Sequence, residues 1–193
     1  MPAPVLATPR LRLRPWMAAD LAPFAAMNAD PRVRAHFPGL LSRTQSDEAA
    51  ARIAEHLTRR GFGLWALEVP GVAPFIGFAG LSVPGFAAHF TPCVEIGWRL
   101  AHPYWGFGYA SEAARAALTH GFDTLCLEEI VSFTIPANHR SIAVMQRVGM
   151  SRAPSDDFLH PDLPDGHPMR LHVLYRLARA AHAAAALPIK SIG

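Results

Sequence analysis

Cysteine is nearly missing from this sequence. Only Cys93 and Cys126 occur in 193 residues, with no CxxC pair and no zinc-ligand spacing. That excludes a disulfide scaffold and a cysteine metal centre. It leaves the expectation of two reduced core thiols in a cytoplasmic protein. Charge of one sign is also lacking. The formal net charge is +3 and the arginines are scattered, so no nucleic-acid partner is expected. A pI near 9.3 leans only slightly toward an anionic ligand. The opening residues MPAPVLATPRLRLRPW lack the basic-then-apolar order of a signal peptide. The stretch from Val72 to Phe90 has the length of a membrane span, but Pro74, Pro84, Gly77, Gly80 and Gly85 interrupt it. Two short strands and a turn are expected there, and no membrane partner. There is no internal repeat and no linker, so the chain is read as a single domain.

Apolar residues make up 51% of the chain, enough for a substantial core. RLRLRPW, Arg10 to Trp16, alternates as a half-exposed strand. A short helix follows across AADLAPFAAMNAD. A second helix, with Ser46 near its start and Gly61 at its end, places Ala50, Ile53, Ala54 and Leu57 on one face. FGLWALEV, FIGFAGLSV and CVEIGWRL read as three strands. In the last, Ile96, Trp98 and Leu100 alternate with Glu95, Gly97 and Arg99. Ala110, Ala113, Ala114, Ala117, Leu118 and Phe122 recur at helical spacing. EIVSFTI is a strand, and NHRSIAVMQRVG a helix with Asn138 as N-cap and Gly149 past its end. A loop rich in proline and glycine leads to the closing strand MRLHVLYRL. Three strands in a row predict antiparallel pairing, and the strand–helix–strand unit at 93–134 predicts a parallel pair. The expected fold is mixed α/β (α+β): a twisted, mostly antiparallel sheet of about seven strands flanked by helices. The domain is expected over 8–178, with an alanine-rich tail at 179–193.

YWGFGYASEA, residues 104–113, sets two glycines before a helix start. The first N–H groups of a helix lack internal partners and attract anions. Glycines let the preceding backbone curl into a nest of N–H groups. Residues 103–109 contain no Ser, Thr, Asp or Asn to cap the helix, so a phosphate could satisfy those amides. A glycine-assisted tight turn accounts for the loop equally well. A Rossmann fingerprint would need glycine where Ser111 stands, although Glu128 and Glu129 lie where a ribose contact belongs. A P-loop would need Gly-Lys-Ser/Thr, which is absent.

EIGWRLAHPYWGFGYASEAARAALTHGF, followed by a strand and NHRSIAVMQRVGM, resembles the GNAT superfamily of acyl-CoA-dependent N-acetyltransferases. Within it the chain is similar to the branch of ribosomal-protein N-terminal acetyltransferases, as TPRLRLRPW and NADPRVRAHFPG also are. The resemblance spans roughly residues 8–178 and implies a GNAT fold. It implies that acetyl-CoA is the cosubstrate, held between the fourth and fifth strands. Its pyrophosphate would lie on the loop of Trp105, Gly106, Phe107, Gly108, Tyr109 and Ala110. Trp105 stands where the superfamily often has Gln or Arg; packing is the other reading of it.

The resemblance further implies that a neutral primary amine, small or a protein N-terminus, attacks the thioester. The pantetheine arm would lie along the strand of Ile96, Gly97 and Trp98, one of whose N–H groups faces the thioester oxygen. Glu95 stands where some members place a base; an ordinary strand glutamate satisfied by Arg99 is the alternative. Asn138 and Ser141 match the second motif, Asn138 against coenzyme A and Ser141 near the sulfur. Asn138 serves as a helix cap in either case. Many members have an acid Tyr where this chain has Met145, which leaves Ser141 or a water as the acid. In the loop at 155–172, Asp157, His160 and His167 are candidates for holding the amine. A solvated, proline-stiffened connection is the alternative there. The spacings of His160, His167 and His172 match no zinc motif, so no metal is expected. A monomer or homodimer is expected. A non-catalytic acyl-CoA-binding regulatory domain would use the same binding residues.

Overall fold

The computed structural model describes residues 3–186. Its nine strands are β1 (Leu6–Ala7), β2 (Arg12–Arg14), β3 (Leu64–Val69), β4 (Ala73–Ser82), β5 (Glu95–Leu100), β6 (Glu129–Thr134), β7 (Ser151–Arg152), β8 (Phe158–Leu159) and β9 (Leu171–Ala178). The helices are α1 (Leu21–Asn28), α2 (Arg43–Arg60), α3 (Tyr109–Thr119), α4 (His139–Arg147) and α5 (Arg179–Ala186). Strand order is β1-β2-β3-β4-β5-β6-β9-β7, with β8 also on β9. Only β5 and β6 pair in parallel. Nine strands stand against about seven expected, and the two-residue pieces β1, β7 and β8 are too short to show a period of two. This is the mixed, single-domain architecture expected.

Alternation along the strands supplies both faces of the sheet. On one face Ile96 and Leu100 pack with Trp65, Ala113, Ala114, Phe122 and Met145, beneath α3 and α4. On the other, Phe78 and Ala66 meet Phe24 and Met27 of α1 and Ala50 of α2. A buried ion pair ties the first edge together: Arg14 grips both oxygens of Asp20 at 2.8 Å.

Three local expectations change. Helix α2 begins one turn earlier than expected. Ser42 accepts from Gln45 N–H while the Gln45 side chain accepts from Ser42 N–H, a capping box. Ser46 lies inside the helix, fully buried, and accepts from Asn28 Nδ2 at 2.9 Å. Val72 to Phe90 holds one ten-residue strand and an irregular loop, not two strands. Cys126 is exposed and Cys93 half-buried, so the thiols are not a core pair. Part of the alanine-rich tail forms α5; residues 187–193 lie outside the described residues. No helix among the described residues is long and apolar enough to cross a membrane.

Candidate active site

The parallel pair β5–β6 comes apart almost as soon as it forms. Val131 N–H donates to Val94 O at 2.9 Å and Glu95 stands opposite Val131, but the register ends there. One step on, the Ser132 hydroxyl takes over the Ile96 carbonyl at 2.9 Å. The strands therefore diverge, and a cleft of about 2290 Å³ opens beside β5.

The glycine loop forms one wall. After a 3₁₀ turn at His102–Tyr104, Gly106 and Gly108 adopt φ of 84° and 81°, in the left-handed region that favours glycine. Gly108 is the residue immediately before α3, and no side chain caps the helix there. The residues that carry its first amides, Tyr109 to Ser111, line the cleft, and no partner outside the helix holds those amides among the described residues. A Cβ added at Gly106 would meet nothing within 4 Å, so it is open space that bounds the loop on that side. Arg10 holds the loop in place: Nη1 donates to Phe107 O at 2.9 Å, and Nε and Nη2 grip Glu112 of α3 at 2.6 Å. Thr8 donates to the same carboxylate. Trp105 both packs and borders the cleft. Its indole N–H donates to Leu100 O at 2.8 Å, and Arg140 lies 4.6 Å from its ring.

The floor is the row Glu95, Gly97, Arg99, which shares one face of β5. Glu95 lies opposite Ser82, whose hydroxyl donates to it at 3.3 Å, and it is not paired with Arg99. Burial pushes its pKa up to about 7, only partly offset by that hydrogen bond. A Cβ at Gly97 would find only Glu95 Oε1, 3.9 Å away, so the strand leaves free space beside the carboxyl.

The far wall is the start of α4. Asn138 caps the helix by accepting from Ser141 N–H at 3.3 Å, and its Nδ2 donates to Thr134 at 2.9 Å. Ser141 is half-buried at the cleft, whereas Met145 is wholly in the core. The residues expected for coenzyme A and chemistry, Glu95 to Trp98, Trp105 to Ala110, Asn138 and Ser141, thus line one cavity.

The acetyltransferase (GNAT) domain family matches residues 10–151. The chain belongs to the GNAT acetyltransferase family. It is 34% identical over 146 residues to the uncharacterized Bacillus subtilis protein YkkB, covering 75% of this chain and 84% of that one. An acetyltransferase structure from Agrobacterium tumefaciens superposes with a TM-score of 0.71 at 29% identity, covering 92% of this chain and 95% of that one. A ribosomal-protein-alanine acetyltransferase from Vibrio fischeri gives 0.71 at 15% identity, over 91% and 97% of the two chains. That likeness speaks for the fold alone, so the ribosomal branch stays a resemblance.

In this GNAT chain the three residues expected near the acceptor separate. His160 lines the cleft, and Asp157 and His167 do not. Asp157 is held by Arg152 and accepts from Leu174 N–H, which keeps its carboxyl below the usual range. Asp156 pairs with Arg176 at 2.7 Å, and Asp165 with Arg170. Asp156, Asp157 and Asp165 thus fasten the loop to arginines, whereas Asp162 lines the cleft without one. The imidazole Nδ1 atoms of His160 and His167 accept from the N–H groups of Asp162 and Met169. That leaves each neutral ring presenting an N–H donor at Nε2. Among the described residues no three His, Cys, Asp or Glu side chains form a metal-binding group. Nothing local in the sequence marks Arg10, Glu112, Ser82 or Asn28. Each acts through a contact distant in sequence, and none carries a local motif.

Proposed function

We propose that this protein transfers an acetyl group from acetyl-CoA to a primary amine by direct attack within a ternary complex. The observation that supports it most is the pairing, in one cleft, of an uncapped helix N-terminus behind two left-handed glycines with a half-buried carboxyl whose pKa is pushed up to about 7 by desolvation. The first suits a pyrophosphate. The second suits a base that works near neutrality.

In this reading acetyl-CoA supplies the activated acyl group. Amides of Gly106 to Ala110 bind its phosphates, and the helix end adds its dipole. Ile96, Gly97 and Trp98 hold the pantetheine arm, and an N–H of this segment stabilises the oxyanion. Glu95 takes the proton of the incoming ammonium, directly or through one water. As the intermediate collapses, the second proton of the nitrogen passes through Ser141 or a water to the departing sulfur, and Asn138 fixes the turn that carries Ser141. His160 borders the acceptor side.

The reading is tested by thermal unfolding with acetyl-CoA, with NADH as control. At a hundred times the dissociation constant, binding adds about 2.7 kcal/mol. That corresponds to roughly 5 to 11 °C for a chain this long. No shift at saturation would reduce the loop to a turn. A shift with no turnover of any amine would identify a regulatory acyl-CoA-binding domain instead.

A further inference from the structure

Among the described residues, five arginines that line the cleft have no acidic partner: Arg34, Arg99, Arg115, Arg140 and Arg147; the first two sit together. Arg10 is neutralised by Glu112 and Arg32 by Asp30. Among the described residues, no carboxylate lies within ion-pair distance of Arg34 or Arg99. Both line the cleft, and both lie over the same ring: their guanidinium carbons are 4.8 and 4.0 Å from the centroid of Phe37. Arg34 is 9% exposed and donates only to Gly39 O, at 2.8 Å. Arg99 Nη1 donates to Asn28 Oδ1 at 3.0 Å, and its Nε is buried with no acceptor. Asn28 is itself fixed by Ser46 at 2.9 Å.

Such an arrangement is costly. Charge removed from water without a counterion is destabilising, and two like charges add repulsion. The guanidinium of Arg99 is driven down to about 9 by burial and by Arg34. An anion entering the cleft would relieve both penalties.

The coenzyme A phosphates are poorly placed to be that anion. Arg99 lies on the face of β5 that carries Glu95 and Gly97, over Phe78 and Asn28. The uncapped end of α3 belongs to the opposite face, with Ile96 and Leu100. The Arg99 side is where a second substrate would lie, reaching Glu95 across the bare Gly97. A planar guanidinium fork beside aromatic rings matches a carboxylate in its own plane.

We infer that the acceptor amine carries a carboxylate, which seats on Arg99 and Arg34 while its amino group lies toward Glu95. This rests on the acetyl-transfer reading above. It makes the acceptor an amino acid or a short peptide-like acid rather than a polyamine. Residues 95 and 99 are about 13 Å apart along the strand. An acceptor whose two ends are separated by several bonds therefore fits better than glycine.

The test uses ω-amino acids of increasing chain length, from glycine to 6-aminohexanoate, each paired with its carboxamide. Binding is read as a thermal shift in the presence of coenzyme A, and KM is read with acetyl-CoA. The acid should bind better than its amide by on the order of tenfold at the best length. Arg99→Gln should erase that difference while keeping the acetyl-CoA shift, which shows that the variant is folded. Arg34→Gln is the second variant, and the comparison of acid with amide on the unaltered protein needs no variant. Equal binding of acid and amide, binding of neither, or a preference that survives Arg99→Gln would overturn the inference. An absent acetyl-CoA shift would instead overturn the acetyl-transfer reading, so the two failures are distinct.

Discussion

Glu95 determines two pH dependences of opposite use. Its folded-state pKa, about 7, lies above that of an ordinary carboxyl. Between the ordinary value and 7 the folded protein holds a proton that the unfolded chain has released, so stability falls as pH rises through that window. The full deficit, about 3 kcal/mol, is present above pH 7. Glu95→Gln removes it. At pH 8 the variant should melt about 6 to 12 °C higher than the unaltered protein, and at pH 4.5 at nearly the same temperature. Equal melting at pH 8 would mean that water reaches the carboxyl freely. Activity should run the other way. kcat/KM for the amine should climb to a plateau with an apparent pKa near 7, and Glu95→Gln should lose that limb and about 10²–10⁴-fold in rate. Gly97→Ala separates space from stability at the neighbouring position. The added methyl clashes with nothing in the protein. Folding should hold or gain about 0.5 kcal/mol, as expected for Ala over Gly in a strand. Turnover should drop at least about tenfold if the arm and acceptor need that floor. Unchanged turnover would place the reacting atoms elsewhere.

At the scale of elements, the loop and the helix it opens form one device. Gly108→Ala must hold φ near 81°, which costs an L-residue about 1–2 kcal/mol. Acetyl-CoA affinity should fall beyond what that destabilisation explains, since the nest is rebuilt. Glu112→Ala should weaken acetyl-CoA binding as well, because Arg10 and Thr8 lose their common anchor. By contrast, Ser42→Ala should cost about 1 kcal/mol of stability and leave acetyl-CoA binding alone. Denaturant midpoints and titrations of these variants side by side decide the point. Much of this was legible in the sequence. The missing cap at 103–109 and the paired glycines are local facts, and so is Asn138 as a cap. The period of two in CVEIGWRL placed Glu95, Gly97 and Arg99 on one face. What stayed hidden is contact between distant positions: Arg10 with Glu112, 102 residues apart, and Arg99 with Asn28, 71 apart. The polar residues Ser46, Asp47 and Glu48 suggest a helix start at Ser46. The Ser42–Gln45 box one turn earlier satisfies the end, which frees Ser46 to hold Asn28. In the acidic loop, the arginine partners of Asp156, Asp157 and Asp165 are equally invisible in the sequence.

The whole molecule is one sheet in two halves that share a core but pair with each other in register only at Glu95 and Val131. One half, β1 to β5, carries α1 and α2; the other holds β6 to β9 with α4. Their separation past Glu95 leaves backbone without a strand partner, a condition normally avoided in a sheet interior. In the acetyl-transfer reading the pantetheine arm fills that gap. Binding should therefore stabilise the seam more than the body of either half. Hydrogen exchange followed by residue would show it. With acetyl-CoA, added protection should concentrate at 95–99, at 105–112 and at 132–141, where β5, the loop and the start of α4 border the cleft. Amides of β3 and the middle of β4, already paired on both sides, should change little beyond the general gain in stability. Protection of the loop without β5 would mean that phosphate binds while the arm lies elsewhere, and the oxyanion role of the Ile96–Trp98 segment would fall. Uniform protection would mean that the halves are already rigidly joined, and that the open seam has no part in holding the acyl donor.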